Sequence, residues 1–485
     1  MLGAVAMFMV LCGAYAFSVG LRASYGAAIT ADEPFYLLTT QSLLQDGDLD
    51  LTQQYERESW RSFFDHPQGL WKQSIPNEDG VLLSPHEPGT SIVVLPGFAV
   101  GGLRGAHIEL LLIAALTFSL AYVFTASETG RPAVSWLLTA AVALSATPFV
   151  YATEIYPEVP AALCIVLSLL LLRSGMRDIV KALLLALLVT ALAWFGAKYV
   201  LLGGVIGLYY LWQASWGARG AFVGLCALSG GFYVWWHLAV FGHYTAYSVN
   251  SVYLGASTVA VLEDHFAVQD RFYRLWGLFI DRRFGVGRWA PLLLLLLPSL
   301  PLLLRGAPLR RLVLALIGAQ VLIATFLAIT MMGYWFPGRT LMSVLPLAPL
   351  PLTLLVLRFD WRGRAVVALL AAYSLLITAL LVQGTWALEV TLASNPFELR
   401  AWPFREAGRL FPQYTAWTAE TWALNVAWLV MGGCVFVALY RRDVVAVVRR
   451  LRAGGRRASS AGRPRATAPL DSSPFDELRT ALRSD

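Results

Sequence analysis

Two adjacent carboxylates, Asp32 and Glu33, are the residues best placed by type and position to do chemistry. They stand in Thr30-Ala-Asp32-Glu33-Pro34-Phe-Tyr36, shortly after an apolar run over 2–21. Pro34 disfavours helical geometry at Glu33 and suits the first position of a helix, so the sequence predicts a helix over 34–45. The pair then sits at a helix N-terminus, where the dipole favours the ionised form. One carboxylate suffices as a cap, worth about 1 kcal/mol, and Glu is a poor choice for that role. The other reading is a general base held ionised beside a substrate site. Phe35, Leu38, Leu43 and Leu44 are expected to lay this helix on a membrane surface.

The chain that must position this pair has 485 residues, is 58% hydrophobic and only 14% charged, with mean hydropathy +0.62. A soluble domain is nearer 45–50% apolar and about 25% charged. The composition excludes an ordinary soluble enzyme, a disordered chain and a disulfide scaffold. It fits an all-α polytopic membrane protein, in which helices satisfy their own backbone groups. The net charge is +7, and of 37 basic residues only Lys72, Lys181 and Lys198 are lysine. The arginines concentrate in short loops and the tail, which orients a membrane protein and does not indicate nucleic-acid binding. Cys12, Cys164, Cys226 and Cys434 lie in apolar runs without paired spacing, so neither a metal centre nor a disulfide framework is expected.

Twelve apolar runs stand near 2–21, 106–126, 133–151, 158–173, 179–196, 199–213, 220–240, 289–304, 311–331, 341–357, 365–386 and 422–440. A shorter one, 90–103, contains Pro96 and three glycines. If 90–103 does not cross, Arg131, Arg173–Lys181, Arg219, 305–311, 358–364 and the tail from Arg441 share one side, which the positive-inside rule makes cytoplasmic. If it crosses, that asymmetry reverses. We therefore expect about twelve spans in a catalytic domain over 1–440, with both termini cytoplasmic in a plasma (inner) membrane. Three aromatic-rich outer loops, 22–105, 241–288 and 387–421, are expected to fold as caps. Ala14-Tyr15-Ala16 has the look of a signal-peptidase site, but no basic segment precedes it and the apolar run continues to Leu21. The tail 441–485 is expected to be basic, cytoplasmic and largely disordered, its first part able to lie on an anionic leaflet.

Asp32-Glu33-Pro-Phe-Tyr36 resembles the acidic motif of the C-type glycosyltransferase superfamily (GT-C), in particular its protein O-mannosyltransferase and lipid A aminoarabinose transferase branch. Four further stretches share the likeness: SPHEPGTSIVVLPGFAVGG (84–102), Glu154-Ile-Tyr156-Pro157-Glu158, DRRFGVGRWAP (281–291) and FPGRTLMSVLPLAPL (336–350). The resemblance covers most of the chain to about residue 360. It implies inverting transfer of a sugar, hexosyl or pentosyl, from a polyprenyl-phosphate carrier to an acceptor outside the membrane. It makes Asp32 the base, with Glu33 orienting the acceptor or sharing the role, and Tyr36 close to the substrate. The chain departs from the branch at Glu87, where a proline or apolar residue is more usual.

A phosphate leaving group asks for cations near the outer membrane surface. Lys198, in FGAKYV, is the lysine that topology places there; a charge in the bilayer is costly, and the alternative reading is a side chain snorkelling to the headgroups. Arg339, between Pro337-Gly338 and an apolar run, carries the same two readings. Among Arg282, Arg283 and Arg288, Arg288 stands nearest the membrane and is preferred, while Asp281 could pair with a neighbour. His86 is a candidate for phosphate or sugar, against plain loop polarity. Glu154 or Glu158 could line the sugar site, or Glu158 could cap the following helix. Asp46-Gly-Asp48-Leu-Asp50 lacks the glycine and glutamate of a calcium loop, with Leu51 and Arg57 at those positions. The sequence points to no definite cofactor, and a looser divalent-cation site stays open. The expected partners are the lipid-linked donor, membrane lipids, and a lipid, glycan or protein acceptor. The competing function is a twelve-span transporter or flippase of a lipid-linked glycan. Transporters commonly show related halves, which this chain lacks.

Overall fold

The computed structural model describes residues 2–77, 79–249, 268–328, 330–331 and 333–460, with side chains to Arg441. Among these residues every regular element is helical. Helix α1 (Leu2–Tyr15) leads into a long loop carrying α2 (Glu33–Gln45), α3 (Thr52–Glu56) and α4 (Gly89–Val93). Then follow α5 (Leu95–Thr129), α6 (Pro132–Ala143), α7 (Ala146–Tyr151), α8 (Glu158–Arg173), α9 (Asp178–Phe195), α10 (Val200–Gln213) and α11 (Trp216–Phe241). The later apolar elements are Pro308–Leu322, Pro349–Val356, Trp361–Trp386, Ala419–Ser460 and a chain of short turns across 291–304. All twelve apolar runs thus carry helical structure, and six helices are long and apolar enough to cross a membrane by length and composition.

The chain divides into two compact units, Met1–Trp428 and Leu429–Asp485. The second unit is described to Ser460 and is helical there, with Leu429, Val430, Phe436 and Val437 exposed. Residues 461–485, where much of the expected disordered tail falls, lie outside the described residues, as do 250–267 of the second outer loop.

In the first unit, α1 is fixed to α6 by Tyr15, whose hydroxyl donates to the Ala143 carbonyl (3.0 Å), and by the Trp136 indole, which donates to Gly3 (3.1 Å). The segment 90–103 doubles back. Gly101 and Gly102 leave helical geometry, Gly102 at φ +56°. A Cβ on Gly105 would collide with the Gly97 carbonyl. The arm before the turn therefore packs against the helix after it, which only two glycines permit. Proline breaks the runs at 291–304 and 345–356 into short α and 3-10 pieces, because each proline removes a backbone donor. A neighbouring side chain serves one donor left over, the Leu292 N–H bonding Ser374 Oγ at 3.1 Å.

Two elements differ from expectation. Helix α2 has the predicted extent, but Glu33 to Ser42 are all buried. Phe35 (1% exposed) and Leu38 (0%) pack into the core, so α2 does not rest on a membrane through them. Arg173 and Arg310 do more than orient the chain: both pair with the buried Glu128 and so tie α5, α8 and the helix Pro308–Leu322 together.

Candidate functional site

The acidic pair divides into two roles. Asp32 occupies the N-cap position of α2 yet makes no side-chain capping bond. Its Oδ2 instead meets Arg339 Nη1 at 2.8 Å, and its Oδ1 lies 3.8 Å from His86 Nε2. Glu33 is a brace. Its Oε2 accepts the Thr30 N–H (3.1 Å) and its Oε1 the Ile155 N–H (3.0 Å), joining the segment before α2 to the one between α7 and α8. Ala31, just before the pair, is left-handed (φ +53°), an uncommon conformation for a residue with a Cβ and one that concentrates at functional sites.

Around Asp32 the fold builds an alternating chain of charges. Arg339 Nε reaches Glu158 Oε1 at 3.1 Å, and Lys198 Nζ reaches the same oxygen at 2.9 Å. Glu158 is the first residue of α8, Lys198 lies in the turn before α10, and Arg339 follows Gly338. That glycine is at φ +87°, and a Cβ there would strike Val286 and Thr147. The Thr147 hydroxyl (3.0 Å) and the Tyr151 hydroxyl (2.6 Å), both on α7, donate to the Pro337 and Phe336 carbonyls, so α7 fixes the turn carrying Arg339. The Arg339 guanidinium lies over the rings of Tyr156 (3.9 Å) and Trp335 (5.1 Å). The His86 ring packs on Tyr36 (4.8 Å) and its Nε2 bonds Gln73 Oε1 (2.8 Å). Glu158 is fully buried, while Asp32 keeps 21% and Lys198 26% of the side chain exposed. The cluster is thus anchored inside and open at Asp32 and Lys198.

The electrostatics follow. Burial pushes the Asp32 carboxyl up, but Arg339, His86 and Lys198 outweigh it and hold the group below the usual carboxylate range. Burial pushes Glu33 up to about 7, against its two backbone donors. Burial, then the neighbouring Glu33, raises Glu154 well above its ordinary value. Both Glu154 oxygens are buried without a hydrogen-bond partner, and it lines a water-sized hollow with Glu33, His107 and Thr153. His86 is lowered, chiefly by burial.

Five residues singled out in the sequence therefore meet around Asp32: Tyr36, His86, Glu158, Lys198 and Arg339; Glu154 lies instead beside Glu33. No family model matches the chain, and no curated protein matches it. Two solved structures are similar, both of ArnT from Cupriavidus metallidurans. The apo form shares 14% identity over 90% of this chain and 72% of that one, with TM-score 0.46. The form bound to undecaprenyl phosphate shares 15% over 91% and 77%, with TM-score 0.43.

Arg288 does not join the cluster. Its guanidinium lies over Phe404 (4.1 Å), and its Nη1 and Nη2 donate to the Arg282 (2.6 Å) and Phe397 (3.3 Å) carbonyls. Burial, then Arg282, lowers it to about 10. Among the described residues Asp281 forms no ion pair with an arginine side chain. Its oxygens accept the N–H groups of Arg283, Phe284 and Tyr414 at 2.7–3.0 Å, binding the segment 387–421 to this one. The Asp46/Asp48/Asp50 carboxylates serve their own turn: Asp48 accepts from Ser42, and Asp50 from Thr52 and Leu82. Among the described residues no group of three or more His, Cys, Asp or Glu could hold a metal ion.

Glu87 proves to be a buried tie. It accepts from the Tyr233 hydroxyl (2.9 Å) and the Ala246 N–H (3.2 Å), and its other oxygen pairs with His237 Nε2 (2.7 Å). Sequence reasoning missed Tyr233, His237, Trp335 and the role of Tyr156. A histidine and a tyrosine four apart on an apolar helix were the available signal for the first two.

Proposed function

We propose that this chain is a GT-C-type glycosyltransferase that moves a sugar from a polyprenyl-phosphate donor to an acceptor hydroxyl at the extracytoplasmic face, with inversion. The observation that carries this reading is the Asp32–Arg339–Glu158–Lys198 chain, a partly open carboxylate beside two cations fixed by a buried glutamate. In the reaction Asp32 takes the proton of the acceptor hydroxyl, and the oxygen forms a bond to the anomeric carbon. The bond from that carbon to the phosphate oxygen breaks, and its electron pair leaves on the phosphate. The donor phosphodiester carries one negative charge and the departing monoester two. Lys198 and Arg339 thus stabilise the transition state more than the ground state, which is what accelerates a reaction. Glu158 keeps both cations aimed there.

The Asp32–Arg339 contact also sets the base. A donor phosphate on Arg339 neutralises the guanidinium that holds the Asp32 carboxyl low. The carboxyl then rises toward the strength a general base needs, so substrate arrival arms it. His86 and Tyr36 wall the side where the acceptor enters.

The test is the reconstituted full chain incubated with a panel of labelled polyprenyl-phosphate sugars, with released polyprenyl phosphate measured by mass spectrometry. Release by the wild type and none by Asp32→Asn is expected. Equal release by both removes Asp32 as base.

A further inference from the structure

A second feature of the same unit has no place in that scheme. An open cleft of about 460 Å³ is lined by Arg282, Arg283, Arg288, Arg405 and Arg409, with Glu398 as the carboxylate in its wall. Some of this charge is answered locally. Arg282 pairs with Glu420 (2.7 Å), and Arg405 and Arg409 share Glu406 (2.8 and 2.7 Å). Arg283 and Arg288 are not so served. Arg283 stacks on Phe397 (3.8 Å) and its Nε is buried without a hydrogen-bond partner. Arg288 is only 6% exposed, and its Nε likewise has no partner. A Cβ on Gly408 would strike the Arg288 guanidinium, so the backbone at Gly408 approaches as closely as a glycine allows. Arg288 bonds carbonyls alone, and the buried Asp281 carboxylate acts on it without forming an ion pair, so part of the cost of burying the cation stays uncompensated. Planar guanidinium forks held by stacking are the side chains best suited to phosphate oxygens.

The cleft shares no lining residue with the Asp32 cluster. Trp289 stands between them. Its ring meets Phe336 at 4.8 Å, three residues before Arg339, and Phe404 at 4.7 Å, the ring beneath Arg288. Its indole N–H donates to the Arg283 carbonyl (3.1 Å). One fully buried aromatic stack therefore separates the two sets of cations.

We infer that this arginine cleft is a binding site for a phosphate-bearing ligand, an assignment that stands apart from the transfer reading above. The phosphate could belong to a soluble phosphorylated glycan or to a lipid headgroup, and the chemistry recognised is the same.

The experiment is site-resolved arginine modification by phenylglyoxal, read by peptide mass spectrometry on the full chain in nanodiscs. One arm uses phosphatidylcholine discs with inorganic pyrophosphate added; the other uses phosphatidylglycerol discs without it. Protection of Arg283, Arg405 and Arg409 by about tenfold in at least one arm, with the exposed Arg57 and Arg61 still reactive, is expected. The arm that protects names the source as soluble or lipid-borne. Protection must survive in Asp32→Asn, which keeps this outcome separate from failure of the transfer reading. It must be lost at Arg283 and Arg405 in Arg288→Gln and in Arg409→Gln, the latter a change at an exposed side chain that leaves the core intact. No protection in either arm, protection equal at Arg57, or protection unaltered in Arg409→Gln overturns the assignment.

Discussion

Arg339 bonds Asp32 through Nη1 at 2.8 Å and, through Nε, the buried Glu158 at 3.1 Å. One guanidinium thus faces the proposed base and its own anchor at once. The two carboxylates differ in kind: Glu158 is fully buried while Asp32 remains partly exposed, so in the proposed reaction the donor phosphate would exchange with Asp32 on Arg339 and leave Glu158 in place.

The members of the acidic pair should separate by mutation. Asp32→Asn should reduce turnover by about 10²–10⁴-fold, the usual contribution of a general base, with thermal stability retained. Glu33→Gln leaves one oxygen to serve the Thr30 and Ile155 N–H groups. It should lower stability by about 1–3 kcal/mol and leave measurable turnover. Parallel melting curves and initial rates check both; the reverse pattern would exchange the two assignments.

Protonation of Asp32 should limit the acid side of the kcat/KM profile. Arg339, with His86 and Lys198, holds that carboxyl low against burial. Removing the cation leaves burial unopposed, and the pKa rises. In Arg339→Gln the acid limb should therefore move up by roughly 1–3 pH units, the span that a close opposite charge commands. An unmoved limb with reduced rate would show that Arg339 does not tune Asp32.

Stability has its own pH dependence. Glu33 in the folded chain is pushed up to about 7, above its unfolded value, so the folded state binds the extra proton. Its contribution is present below about pH 4.5, falls as pH rises through 7, and is then flat. Glu154, also raised, acts in the same direction. The melting temperature should drop across this window in the wild type and drop less in Glu33→Gln.

Lys198→Ala, Arg339→Ala and Glu158→Gln should each raise the apparent KM for donor by about tenfold or more, given typical losses for a charged hydrogen bond, and alter that for acceptor less. Glu158→Gln should resemble the two cation variants, because its carboxylate positions both cations without touching substrate. Steady-state kinetics with each substrate varied separately distinguishes these cases.

Much of this was legible in the chain. Pro34 placed the start of α2, and the rarity of lysine pointed to Lys198. Gly338 before Arg339 marked a turn where a cation could be held. Burial of α2 was not legible: Phe35 and Leu38 suit a membrane surface and a protein interior equally, and periodicity does not tell which apolar phase receives them. The split between Asp32 and Glu33 was hidden too, since it depends on the Ile155 N–H arriving from 122 positions away. Arg288 was misplaced because proximity to an apolar run says nothing about which loop will fold over it, here the one carrying Phe397 and Phe404. Glu87 was not legible either, because its partners Tyr233 and His237 come from α11, about 150 positions away.

The decisive measurement needs no knowledge of the sugar. Binding of a polyprenyl phosphate, the carrier released in the proposed reaction, can be measured on the purified full chain in neutral nanodiscs by native mass spectrometry. Wild type should bind it. Asp32→Asn should bind as well or better, because a competitor for Arg339 has gone, and Lys198→Ala and Arg339→Ala should each bind at least about tenfold more weakly. Equal binding by all four proteins would mean that the cations beside Asp32 do not hold a lipid phosphate.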